Sequence, residues 1–431
     1  MRASPRALLP AGILVAGIVA TACVPPLPDP PPGETTSTTT GSGPATGAGT
    51  TTTTSTTSTT STTSTTTTST TIAQPPTTVP DGTGLYSPVP VDGWGIAKNA
   101  VNDQYIDAVE IAGGAVYAGG RFDQAKRNSQ TATRGNLMAV ALSSGALLPF
   151  VADTNGTVNA IASDGSSLYI GGTFTTVNGV ARNRLAKLDL ATGAVDTSFI
   201  AGAGNIVHDM VVVGSRLYIV GEFNTVNGVD RHRAAAVNTS NGDLDATFDP
   251  NASSKVQAIA ASPNGATIYL GGNFATMGGV ARANLAAVDG VTGALQSPAF
   301  KQVNDLVEDL SVSPDGSHLY AGTRFNSAVD WDTANGDREW LARADGDMQA
   351  VVYSNHMVYG GFHDGFESDT SLRLLALEPD DGVPDATFRP ASNGYPGVYC
   401  LDANGAYLVA GGYFSTMGGV GVEGLAIFPK A

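Results

Sequence analysis

The chain has 431 residues, 22 basic against 38 acidic, a formal net charge of −16 and two cysteines. An acidic surface repels phosphate backbones, which argues against nucleic acid as a partner, and Cys23 and Cys400 alone make no disulfide framework. No Walker loop, HExxH, CxxC or GxSxG occurs, and the Gly-Gly doublets lie within strand-like stretches rather than before helices, so phosphate-loop readings fail on context.

At the start, Arg2 and Arg6 precede an apolar run from Ala7 to Ala22 that contains Pro10 and ends on Ala20-Thr21-Ala22-Cys23. Residues 1–22 read as an export signal, too short and too interrupted for a spanning helix of about 20 apolar residues. Small residues up to a cysteine resemble the bacterial lipobox, in which Cys23 receives a diacylglycerol. Ala20 stands where that motif has Leu, and Ala20-x-Ala22 also suits ordinary cleavage with release, so both outcomes stay open. From Cys23 to residue 80 the chain is rich in Pro, Thr, Ser and Gly, and Thr51 to Thr71 is entirely Thr and Ser. Burial there cannot offset the entropy of ordering, so 23–80 is expected to be a disordered tether, on the order of 45 Å from end to end.

Residues 81–431 are organised by a repeat. Leu168 to Phe174 reads LYIGGTF, and relatives of it place an aromatic residue at 122, 174, 223, 274, 325, 363 and 414. That is a period of about 50 residues, the size of a small sheet. One unit, Thr157 to Ala201, shows four short apolar stretches divided by turn chemistry: Val158 to Ala162, Leu168 to Phe174, Arg184 to Leu188 and Ala194 to Phe199. Asp164-Gly165 and Thr192-Gly193 make tight turns, and Asn178-Gly179 centres a hairpin loop from Thr176 to Arg182. No helical period occurs. The expected fold is all-β, a seven-bladed β-propeller of four-stranded antiparallel blades. Phe199, Phe248 and Phe388, each in an Asp-x-x-Phe segment, are expected to wedge between sheets, and Arg182, Arg231 and Arg282 to act as loop struts. The seventh unit stops at Leu425 to Phe428, while Gly82 to Gly95 looks like its missing fourth strand. Pairing of Leu85 to Trp94 with Leu425 to Phe428 would close the ring and remove two open edges.

The segment LYIGGTFTTVNGVARNRLAKLDLATGAVDTSF resembles the bacterial delta-60 repeats, described as a propeller of unknown function. The likeness covers residues 100–431, is strong in units two to four, weak in unit five, which lacks the hairpin loop, and degraded in unit six. It implies the fold and an exported setting, and it carries no catalytic residues. Kelch repeats share the Gly-Gly doublet, but their later Tyr and Trp marks are missing.

Aligning the first strands isolates one varied position. It follows an apolar residue in every unit and is occupied by Asp107, Asn159, His208, Gln257, Glu308, Gln349 and Tyr399. Structural positions in a repeat keep one residue, whereas a shared site gathers different groups. In propellers the first strand lines the central channel, so these seven are the candidate ligand-binding ring at one mouth, beside hairpin loops such as Thr176 to Val180. A wet channel that tolerates any polar residue is the alternative. No metal or cofactor is expected: the acidic turns lack calcium-loop spacing, and His208, His232, His318, His356 and His363 show no ligand spacing. The leading function is a surface-anchored, non-enzymatic monomer that binds an envelope protein, a glycan or a small polar ligand, with the membrane reached through lipid at Cys23. The rival is an exported hydrolase or lyase using Asp107, His208, Asp209, Glu308 and Asp309 as acid and base. A third reading is a structural envelope spacer.

Overall fold

The structure is a computed structural model and describes residues 85–97 and 104–431. The expected export segment 1–22, the tether 23–80 with Cys23, and residues 81–84 lie outside the described residues. Among the described residues there are strands and turns and no helix. Seven main antiparallel sheets follow one another along the chain. Their first strands are Tyr105–Ala112, Val158–Ser163, Val207–Val213, Val256–Ala261, Val307–Val312, Met348–Ser354 and Gly397–Ala403, and the sheets are called one to seven in that order.

Sheet two shows why these residues fold so. Asp164 Oδ1 accepts the backbone N–H groups of Ser166 and Ser167 at 2.9 and 2.7 Å, and Gly165 takes φ +81°, which turns the first strand into the second. The second strand, Ser167–Gly172, is central, paired on both sides and buried on both faces, so Leu168, Tyr169 and Ile170 run without alternation. Asn178 and Gly179 both take positive φ (48° and 77°) to close the two-residue hairpin between Thr176–Val177 and Val180–Ala181. Leu185–Asp189 completes the sheet.

The expected fourth strand is a strand in sheet five alone, where Arg338–Arg343 pairs with Ser327–Asp332. Elsewhere the outer segment makes a single bridge, such as Leu188 with Val195 or Val237 with Leu244. In sheets two, three and six the Asp of Asp-x-x-Phe is the reason. Asp196 Oδ1 accepts from Ser198 N and Ser198 Oγ, and Asp245 and Asp385 do the same with Thr247 and Thr387, so the chain folds into a local Asx turn instead of continuing extended.

The core lies between successive sheets. Phe199 stands edge-on to Tyr169 at 5.7 Å, Phe248 to Tyr218 at 4.9 Å and Phe388 to Tyr359 at 5.3 Å, and each aromatic joins a cluster shared with the next sheet. Ile106, Val109 and Val116 of sheet one share a cluster with Val409, Leu425 and Ile427 of sheet seven. The strut arginines act as expected in two of three places. Arg182 donates to the carbonyls of Ala181 and Asp196, and Arg231 to those of Asp230 and Ala246. Arg282 Nη1 is buried without a protein partner.

Three alignments are corrected. Phe174 and Phe223 are fully buried, but Phe325 is 71% exposed, because sheet five has no hairpin to cover it as Val177 helps cover Phe174. In sheet six Met348 pairs with Phe362, just as Val158 pairs with Gly172. His363 therefore matches Thr173 rather than the final Phe. At the N-terminal end, Ser87 N donates to Pro429 O, Val91 N to Ile427 O and Ala431 N to Leu85 O, all within 3.0 Å. This pairing ends at Val91: Trp94 N goes to Gly145 O, and Gly95–Ile96 pairs with the sheet-one hairpin at Lys126 and Ala125.

Candidate functional site

Every first strand carries a β-bulge, and in every case the extra residue is the varied polar one. Val158 pairs with Gly172 and Ala160 with Gly171, which leaves Asn159 opposite nothing. The same skip leaves out Asp107, His208, Gln257, Glu308, Gln349 and Tyr399. A bulge frees a residue from the ladder and re-aims its side chain.

In most sheets a glycine receives the bulge. A Cβ there would stand 2.1 Å from Thr157 O at Gly172, 2.2 Å from Tyr105 O at Gly120 and 2.0 Å from Ile206 O at Gly221, so in these sheets the bulged backbone packs where a side chain would intrude, whereas sheets five and six form the bulge opposite Thr323 and Phe362. The first glycine of the Gly-Gly doublet receives the next sheet: a Cβ on Gly171 would meet Val207 Cγ1 at 2.6 Å, and one on Gly411 would meet Ile106 Cγ2 at the same distance.

All seven candidate residues line one cavity of about 490 Å³, together with Tyr105, Asp209, Asp309, Arg324, Asp347 and Cys400. Within it Asn159 Nδ2 donates to Asp107, His208 Nε2 lies 3.1 Å from Glu222 Oε1, Arg324 Nε donates to Glu308 at 2.7 Å, and the Tyr105 and Tyr399 rings meet edge-on at 5.5 Å. Hairpins sit beside the segments that lead into the first strands. Asn155 Oδ1 accepts from Thr175 N and Thr176 N, and Asn393 Oδ1 from Ser415 N and Thr416 N.

Burial dominates the electrostatics. It pushes Asp107 up to about 6, against the Asn159 hydrogen bond, and Asp209 up to about 7. Asp309 rises to about 8, first through burial and then through the nearby Asp209 carboxylate. Glu308 is raised by burial in spite of Arg324, and His208 is held below the ordinary imidazole range by burial in spite of Glu222.

Two of the sequence-derived acid/base candidates have another job. The first strand is the inner edge of its sheet, and its outward N–H groups have no ladder partner. Asp209 Oδ2 accepts from Ile259 N of sheet four at 2.9 Å and Asp309 Oδ2 from Val351 N of sheet six at 2.8 Å, while each Oδ1 takes the N–H of the following residue. Asp402 of sheet seven holds Ile111 N of sheet one at 2.6 Å in the same way. These buried carboxylates clamp one sheet to the next.

Sequence reasoning missed a second circle of varied residues. The position between the doublet and the final Phe carries Arg121, Thr173, Glu222, Asn273, Arg324, His363 and Tyr413. Glu222 and Arg324 pair across the strands with ring residues His208 and Glu308. The signal that found the inner ring, variation at a fixed repeat position, was present here too. Among the described residues no group of three or more His, Cys, Asp or Glu is placed to hold a metal ion.

Residues 163–199 and 215–248 match a family model described as "Domain of unknown function (DUF5122) beta-propeller". Among solved structures the chain is similar to "Crystal structure of WD40 beta propeller domain of Doa1", at 12% sequence identity and a TM-score of 0.53, over 79% of this chain and 96% of that one. At that identity the likeness is one of fold. No curated protein matches the chain. The sheets and both comparisons agree on an all-β, propeller-type repeat architecture.

Proposed function

We propose that residues 81–431 are a closed, seven-bladed propeller that recognises a polar ligand at the ring-lined cavity without chemical conversion, displayed outside the cell on the tether 23–80. Packing of sheet seven on sheet one through Gly411 and Ile106, and the Asp402 clamp, support closure. Pairing of residues 85–91 with 427–431 supports it further.

The observation that carries the binding reading is the coincidence of bulge and variation. One backbone device, repeated in every sheet, delivers side chains of differing chemistry into one cavity. A channel that merely tolerated polar groups would have no need for a bulge at each of these positions.

The test is binding of envelope glycans and peptides to the wild-type chain and to a His208→Ala, Glu308→Ala, Tyr399→Ala triple variant, each shown folded by circular dichroism. The reading predicts a ligand whose binding the triple variant loses. A ligand bound equally well by both would place recognition elsewhere on the protein.

A further inference from the structure

What the cavity walls still offer identifies a class of ligand. The lining carboxyl groups belong to Asp107, Asp209, Glu308, Asp309 and Asp347, and Arg324, the permanent cation among the described lining residues, is engaged by Glu308 at 2.7 Å. His208, held low by burial, adds no charge at neutral pH. The buried polar atoms of this wall that lack a protein partner are all oxygens: Asn159 Oδ1, Gln257 Oε1 and Gln349 Oε1. The Asn159 amide is oriented by its donation to Asp107, which leaves its oxygen as the unmatched end. A buried carbonyl without a donor costs free energy that a ligand N–H recovers. A cavity of about 490 Å³ is of small-ligand size, and Ala108, Ala160 and Ile161 supply apolar wall for a short carbon body.

We propose that this cavity takes a small organic ammonium ion, an amine or amino sugar whose –NH₃⁺ is held by Asp107 in the cavity that Gln257 and Gln349 also line, their amide oxygens turning toward it on binding. The inference rests on the reading of the cavity as the recognition site and narrows it. An anion meets the Asp107 carboxylate, and an uncharged ligand leaves it without a cation; Glu308 is already paired with Arg324, and Asp209 and Asp309, pushed up to about 7 and 8 and bonded to Ile259 and Val351 N–H, add little charge at neutral pH.

Calorimetric titration of the full chain at neutral pH uses cadaverine and glucosamine as ammonium probes, with N-acetylglucosamine and glutarate as their neutral and anionic counterparts. At least one ammonium probe is expected to bind, the counterparts to bind about tenfold more weakly or worse, and Asp107→Asn to weaken the ammonium probe by about tenfold. Gln349→Leu, which leaves the Asp107–Asn159 pair intact, is expected to weaken it as well. Absence of ammonium binding at millimolar concentration overturns the inference, and so does equal binding of N-acetylglucosamine. If N-acetylglucosamine binds as tightly and the triple ring variant abolishes it, the site stands and the ammonium class falls. If an ammonium probe binds undiminished to the triple variant and to Asp107→Asn, the site itself falls.

Discussion

Replacing Gly172 with Ala tests the link between the doublet and the bulge. The added Cβ would stand 2.1 Å from Thr157 O, where an ordinary carbon–oxygen contact is about 3.3 Å. The obstacle is backbone, so no rotamer change relieves it and the bulged strand must retreat by about 1 Å. Overpacking of this kind costs about 1–3 kcal/mol, and the upper end is expected because Asn159 is displaced with the strand. Gly421 is the control: it lies exposed in the hairpin strand Val420–Gly421, its φ is not positive and a Cβ there meets nothing within 4 Å. Gly421→Ala is expected to be neutral or stabilising by up to about 1 kcal/mol through the unfolded chain. Equilibrium unfolding in urea reads both, the Gly172→Ala midpoint falling with little change in slope. Equal midpoints for the two variants would refute the steric argument. Thr323 and Phe362 occupy the corresponding position in sheets five and six; sheet five has no hairpin there, and in sheet six the hairpin is reduced to the single Phe366–Asp369 bridge. The glycine requirement is thus expected in sheets one to four and seven.

Three further predictions follow the same physics. Asp107, Asp209, Asp309 and Asp402 have folded pKa values of about 6, 7, 8 and 6 against 3.8 unfolded, so the folded state binds more protons and stability falls as pH rises from about 4 to 8. Urea midpoints should therefore be higher at pH 5 than at pH 8.5, with Asp309→Asn flattening the slope; a rising profile would contradict these assignments. Deleting 85–96 removes the partners of 427–431 and of the sheet-one hairpin, and a large drop in thermal midpoint is expected; an unchanged midpoint would show that the pairing contributes nothing. Cys23→Ala should move the protein from the membrane fraction to the medium, since stable anchoring needs lipid chains, and continued membrane retention would contradict lipidation.

Much of this architecture was legible in the chain because its units repeat. A recurring Gly-Gly doublet, Asn-Gly turns and apolar runs return at a similar spacing, which exposes the sheets and the position where the first strand varies. What escaped reading depends on contacts that no local pattern encodes. Asp-x-x-Phe looks like the start of a strand, but its carboxylate captures the next N–H groups and ends the extended run. Asp209 and Asp309 look like free acids, but their partners, Ile259 and Val351, lie in the following unit. The second varied position, at Glu222 and Arg324, is masked because it sits between the nearly constant glycine and phenylalanine of the second strand, and only its pairing with His208 and Glu308 marks it. His363 slipped by one position because the Phe362-His363 pair offers two aromatic rings and only the strand register tells them apart.

Hydrogen–deuterium exchange of the full chain, with and without a saturating ligand, tests the central claim most directly, because it maps recognition onto the backbone. The account predicts slowed exchange at the bulged starts of the first strands, in peptides covering 105–109, 207–210, 307–310 and 398–401, whose side chains line the cavity. Slowing confined to the outer Asp-x-x-Phe segments, with these peptides unchanged, would contradict it.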